Sequence, residues 1–195
     1  GDGDGDTGCT TSADCPEPQV CNGFTLECFD PGAGDGDIHV QLTWDSPSFD
    51  FDIHLKKDES DFCTEADCYS GTCLPNDPSP PEWDGVEGRT DGDPRLDIDD
   101  IQGYGPENIN IDVPVSGIYQ VGVYTFSSTL SEAVYATMRI YIGGALAYEA
   151  SREFTEPQSF WDVAEVDWHD PANWNINETG VFTGTFDCPA FPPAP

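Results

Sequence analysis

Two stretches alternate apolar and polar residues one by one, and a period of two leaves room for little besides β-strand. In IHVQLTW, residues 38–44, Ile38, Val40, Leu42 and Trp44 fall on one side and His39, Gln41 and Thr43 on the other. In FDFDIHLK, residues 49–56, Phe49, Phe51, Ile53 and Leu55 share one face, while Asp50, Asp52, His54 and Lys56 share the opposite one. Successive side chains of a strand point to opposite faces, so each run predicts a strand with one face in a core. A hairpin around residues 45–48 is expected to join the two. Further strands are expected at 96–101, 108–113, 118–126, 133–142, 146–153, 160–168 and 181–186, with turns at 114–117 and 143–144. Many short strands, regular turn residues and no helical period predict an all-β fold, an antiparallel β-sandwich or jelly roll.

Eight cysteines organise the rest. Cys9, Cys15, Cys21 and Cys28 fall within CTTSADCPEPQVCNGFTLEC, a stretch too short to build a core unaided. Residues 9–28 are therefore expected to form a small disulfide-rich module with two local bridges, first-to-third and second-to-fourth being the preferred pairing. No two cysteines have the C-x-x-C spacing of zinc or redox motifs. Cys63, Cys68 and Cys73 lie in a long segment, 57–95, and Cys188 stands near the end. If the first four pair among themselves, one of these three bridges to Cys188 and the other two close a small loop. Ahead of the module, GDGDGDTG at 1–8 is an acidic segment with nothing to bury, and FDPGAGDGD at 29–37 is a linker. The sandwich is expected over 38–195, with 57–95 as a disulfide-clamped loop. Disulfides place the protein in an oxidising, extracellular setting, and a start at Gly1 without a signal-peptide pattern reads as numbering from a mature end.

Charge narrows the partners. There are 38 acidic residues against 6 basic ones, a formal charge of −32. Such a chain is repelled by phosphate backbones and anionic lipid, which argues against nucleic acid as a partner. No apolar run approaches the ~20 residues of a membrane-spanning helix, so membrane insertion is not expected. A hydrophobic content of 37% with 12% aromatics nonetheless supports a packed core. Two readings of the charge stand together: bound divalent cations that cancel repulsion locally, or a solvated acidic surface of the kind suited to saline or alkaline water.

Residues 42–142 carry a family likeness. LTWDSPSFDFDIHL, then DGDPRLDIDDIQGYGPENINI, then SGIYQVGVYTF resemble a bacterial secreted β-sandwich family described as YfaP-like. The likeness covers about half the chain and implies a sandwich, secretion and a cation site. The cysteine-rich loop here is longer than the family's pattern. The module at 9–28 resembles the small cysteine-rich units of bacterial surface proteins, through its Asp-Cys-Pro and Val-Cys-Asn portions.

Calcium takes six to eight oxygen ligands, and the sequence offers two sets of them. Asp50 and Asp52 lie two apart on one strand, so their carboxylates project from one face ~7 Å apart. Asp97 and Asp99, with Asp100 beside them, repeat the arrangement; Asp91 and Asp93 precede them and Glu107 follows a glycine-rich turn. Asp50, Asp52, Asp97, Asp99 and Glu107 are expected to share one or two cations at one end of the sandwich. The alternative for all of them is a solvated polar face. The second set is Asp2, Asp4 and Asp6 with Asp35 and Asp37. Its Asp-x-Asp-x-Asp opening is not an EF-hand, since Thr7 stands where that loop needs glycine and Ala13 where it needs glutamate.

Catalytic patterns are missing from the sequence. His39, His54 and His169 form no H-E-x-x-H pair, and there is no G-x-S-x-G elbow. Trp83, Trp161, Trp168 and Trp174 could stack on sugars or pack in the core, and at least one of Trp161 and Trp168 should face inward. The expectation is a non-enzymatic, extracellular calcium-binding structural protein, a subunit of a cell-surface fibre or coat that self-associates through calcium. The alternative is a calcium-dependent adhesion module whose partner is a glycan or a surface protein.

Overall fold

The structure, a computed structural model, describes residues 20–22, 27–29, 37–74, 80–86, 89–101 and 103–188. The expectations for Asp2, Asp4, Asp6 and Asp35, and for the pairing of the first four cysteines, lie outside these residues. Twelve strands are described: β1 (Val20–Asn22), β2 (Glu27–Phe29), β3 (Ile38–Trp44), β4 (Phe51–Lys57), β5 (Asp67–Cys68), β6 (Arg95–Ile98), β7 (Glu107–Ile111), β8 (Ile118–Thr125), β9 (Val134–Ile142), β10 (Ala145–Phe154), β11 (Phe160–Asp167) and β12 (Asn175–Thr183). β1 and β2 pair antiparallel as a separate two-stranded sheet. The remaining ten form two five-stranded antiparallel sheets, ordered β10-β9-β3-β7-β6 and β12-β11-β8-β4-β5. No helix occurs among the described residues.

The alternating runs behave as expected on their apolar side. Ile38, Val40 and Leu42 of β3 and Phe51, Ile53 and Leu55 of β4 are wholly buried. The two sheets meet through aromatic contacts: Phe51 of β4 meets Phe154 of β10 edge to face at 5.1 Å, and Trp44 lies 5.7 Å from Phe51. Each such side chain contributes about 1.5–3 kcal/mol by leaving water. Trp161 and Trp168 both belong to this core, Trp83 packs against it, and Trp174 is exposed. The turn at Gly143 and Gly144 joins β9 to β10, with φ of 56° and 77°. Positive φ at both central residues is the two-residue hairpin turn that glycine permits best.

The hairpin expected around residues 45–48 is not one. β3 lies in the first sheet and β4 in the second, so residues 45–50 arch across the sandwich. Alternation cannot distinguish these cases, because strands on opposite sides of a core show it as well as neighbours do. The arch is anchored at both ends. Asp45 N–H donates to Tyr135 O at 3.2 Å and Tyr135 N–H returns a bond to the Asp45 carboxylate, while Phe126 N–H donates to Asp50 O at 3.0 Å. The last strand also begins earlier than expected, at Asn175.

The long loop has structure of its own. Cys68–Cys73 closes a small loop and Cys63–Cys188 ties it to the C-terminal stretch, the arrangement expected once the first four cysteines are set apart. Residues 60–74 lie over the outward side of β4. His54 stacks on Tyr69 with ring centres 4.7 Å apart, Lys56 lies over Phe62, and Ser70 donates to Asp52 at 2.6 Å. The side of β4 that reads as polar is therefore buried beneath a second, mixed layer.

Candidate metal centre

The centre grows out of an unpaired strand edge. β4 pairs with β8 along its length, but β5 meets it only at Leu55 and Lys56. The edge ahead of Leu55 needs another acceptor, since a buried N–H is costly to leave unbonded. Ile53 N–H finds one in Glu107 Oε2 at 2.7 Å. Glu107 opens β7 in the other sheet, opposite Leu42 and in phase with the buried Ile109 and Ile111, so its side chain enters the space between the sheets. Its Oε1 accepts from Asp100 N–H at 3.2 Å, and Asp100 Oδ2 accepts from Gly105 N–H at 2.9 Å. One carboxylate thus joins both sheets and the 99–106 turn.

Two further carboxylates close on it and a third stands nearby. Oxygens of Asp52, Asp99 and Glu107 all lie within 4.8 Å of one another. Asp52 is nearly fully buried, and Asp50 stands close enough for its charge to act on Glu107. Asp50 Oδ1 is itself buried without a hydrogen-bond partner in the protein. Among the described residues no lysine or arginine forms an ion pair with Asp50, Asp52, Asp99 or Glu107.

The electrostatics follow from that crowding. Burial pushes the Glu107 carboxyl well above its usual range, and the charges of Asp52, Asp99 and Asp50 push the same way against the Ile53 hydrogen bond. Asp50 is raised to about 7, first by burial and then by Asp52, Asp99 and Asp100. Asp52 is raised by burial, with His54 and Ser70 opposing, and Asp99 by burial, with its bond to Glu107 opposing. Two like charges ~4 Å apart repel by about 4 kcal/mol at an effective dielectric constant of ~20. Either protons or a cation must relieve this. Oxygens bound to one calcium ion at ~2.3–2.6 Å lie at most ~5 Å apart, so the observed separations suit a common hard cation, and an all-oxygen donor set selects calcium or magnesium over softer metals.

Only part of the expected ligand set converges. Asp52, Asp99 and Glu107 do, and Asp50 stands near enough for its charge to act on Glu107 without belonging to that close group. Asp97 turns away to Arg95, at 3.3 Å, and to the Asn110 amide. The register of β6 shifts between Leu96 and Ile98 and the strand ends at Ile98, so the two-residue spacing of Asp97 and Asp99 does not put them on one face. Asp91 pairs with Arg89 at 2.9 Å. Asp93 accepts from Trp83 N–H at 2.6 Å and Asp84 N–H at 3.2 Å, which makes it a clamp within the loop; with Glu82 and Asp84 it forms a separate acidic group. Asp37 is exposed at the start of β3. Two members of the centre's surroundings escaped the sequence-derived set, Asp100 and Ser70. Asp100 adjoins Asp99 and could have been included; nothing in the spacing of the cysteine loop points to Ser70. Two of the three histidines are held structurally: His39 Nδ1 lies 2.5 Å from Asn110 Oδ1, and His169 lies 2.7 Å from Asp167.

No family model matches the chain and no curated protein matches it, so the comparisons give the YfaP-like likeness no support. The chain is similar in fold to a solved structure of a protein of unknown function, SAV2460. That match has a TM-score of 0.50 and 16% identity, and it covers 80% of this chain and 94% of the other.

Proposed function

We propose that this chain is an extracellular, non-enzymatic calcium-binding β-sandwich whose ion sits among Asp50, Asp52, Asp99 and Glu107. One observation carries the reading: carboxylates from both sheets meet within 4.8 Å around a fully buried glutamate. Burying charges of one sign together is costly, and a divalent cation turns that cost into an attraction. Bound there, calcium ties β4, β7 and the 99–106 turn together. Calorimetric titration with calcium tests the assignment. Binding is expected in the native chain, to be lost in Asp52→Asn with Asp99→Asn, and to be unchanged in Asp97→Asn. Binding that survives the double substitution refutes the site.

The same reading extends to assembly as a subunit of a cell-surface fibre or coat. A formal charge of −32 opposes self-association unless cations bridge the copies. Sedimentation with calcium and then with excess chelator should give assemblies that dissociate; a species of constant size in both excludes cation-bridged assembly. The adhesion reading, a calcium-dependent module for a glycan or surface protein, has less support, because Trp161 and Trp168 lie in the core.

A further inference from the structure

A second cluster lies on the outward side of β4 next to the carboxylate centre, where His54 follows Asp52 on the same face of the strand. His54 is fully buried, stacked on Tyr69 and met by the edges of Phe62, Tyr124 and Phe160. Its Nδ1 lies 2.6 Å from Asp67 Oδ2, which also accepts from Cys63 N–H at 2.6 Å. That leaves His54 Nε2 and Asp67 Oδ1, on two side chains with no exposed surface, each without a hydrogen-bond partner in the protein. Buried polar atoms are nearly always satisfied, so two of them in one nest point to a further ligand. Against this pair lies the Cys63–Cys188 disulfide, with a ring nitrogen of His54 and the two sulfurs all within 4.8 Å of one another.

We infer that the dithiol form of Cys63 and Cys188 is a zinc site, with His54 as third ligand and Asp67 orienting its ring. Disulfide sulfur is a poor donor to zinc, whereas two thiolates and an imidazole are a common zinc set. A carboxylate on Nδ1 fixes the tautomer and leaves Nε2 for the metal, as in other carboxylate–histidine–zinc arrangements. The fourth position goes to water. The site is present in the newly made chain before its cysteines are oxidised, and it returns when a dithiol reductant reopens the bridge. The reductant attacks at Cys188, which is half-buried where Cys63 is buried. Its two electrons break the S–S bond, its two protons pass to the cysteine sulfurs, and it closes to its own disulfide; zinc then displaces the two thiol protons to solvent. The metal keeps the C-terminal stretch tied to the loop when the covalent tie is gone.

The test uses the whole chain, reduced with a water-soluble phosphine, desalted under nitrogen and titrated with cobalt(II). Thiolate-to-cobalt charge transfer with tetrahedral visible bands is expected in the reduced chain and not in the oxidised one, and zinc should abolish it. With Cys9, Cys15, Cys21 and Cys28 replaced by serine so that they add no thiolates, Cys63→Ser with Cys188→Ser should remove the signal, Cys68→Ser with Cys73→Ser should retain it, and His54→Gln should weaken binding by about ten-fold or more. Should the first double variant not fold, alkylation decides. Zinc should then slow labelling of Cys63 and Cys188 about ten-fold, on the scale of ligand-shell effects, and leave Cys68 and Cys73 unprotected. A reduced chain without charge transfer, a signal that survives loss of Cys63 and Cys188, or equal labelling rates overturns the proposal. Cobalt held by the carboxylate centre has no charge-transfer band, so the fate of the calcium site reads separately.

Discussion

Asp50 separates the two ways in which the carboxylate centre can relieve its repulsion. Its carboxyl is raised to about 7 by burial and by three neighbouring aspartates, and one of its oxygens has no partner in the protein. A folded-state pKa above the unfolded value means that the folded chain holds more protons between about 4 and about 7. The stability this group contributes is therefore full at the acid end and is lost as pH rises through about 7. Calcium-free protein should melt at progressively lower temperature from pH 5 to pH 8, and saturating calcium should flatten or reverse that slope, since binding releases the retained protons. A calcium-free melting temperature that rises over this range would contradict the reading. In Asp50→Asn the charge is gone while the side-chain shape remains. We expect the calcium-free variant to melt a few degrees higher than the native chain at pH 8, with calcium affinity lower by about ten-fold, or ~1.4 kcal/mol. Thermal unfolding and calorimetry on the same samples measure both.

At the scale of elements, the 99–106 turn must pass close under β3 to bring Asp99 and Asp100 to Glu107. Gly105 makes that passage possible: its φ is 79°, and a Cβ there would lie 2.8 Å from Leu42 O and 3.2 Å from Thr43 Cα. Gly143, with φ of 56°, would meet nothing within 4 Å. Gly105→Ala should thus cost about 2–3 kcal/mol, from left-handed strain plus a backbone clash, and Gly143→Ala about 1 kcal/mol from strain alone. Chemical denaturation would show equal costs if the close approach were immaterial. The strands themselves were legible in the sequence, because burial of one face imposes a period of two. Their partners were not. β3 and β4 alternate as cleanly as hairpin neighbours yet lie in opposite sheets, and Asp97 and Asp99, spaced for one face, part where β6 loses its register and ends.

Across the whole molecule, the two described disulfides constrain very different lengths of chain. Cys63 and Cys188 are separated by 125 positions and Cys68 and Cys73 by 5. Loop-closure entropy assigns about 5 kcal/mol to the first and about 2 kcal/mol to the second. Replacing Cys63 and Cys188 by alanine should therefore destabilise the oxidised protein roughly twice as much as replacing Cys68 and Cys73, as read by denaturant midpoints. Similar losses would place the effect in the packing of the loop, where His54, Tyr69 and Phe62 meet, and not in the unfolded chain. The long bridge also holds the layer that hides Asp52, His54 and Lys56, side chains that alternation assigns to an open polar face.

The sequence by itself determined the all-β architecture, the apolar faces of β3 and β4, the separation of the cysteines into two groups and the pool of acidic residues from which a centre could be drawn. These follow from local rules: side-chain alternation, turn residues and the inability of a short segment to bury a core. Which acids meet was decided by the tertiary structure. The free N–H of Ile53 draws Glu107 across the gap between the sheets, and the turn under β3 carries Asp99 and Asp100 in behind it. Distances between residues far apart in the chain depend on sheet pairing and loop paths, and no local period encodes them.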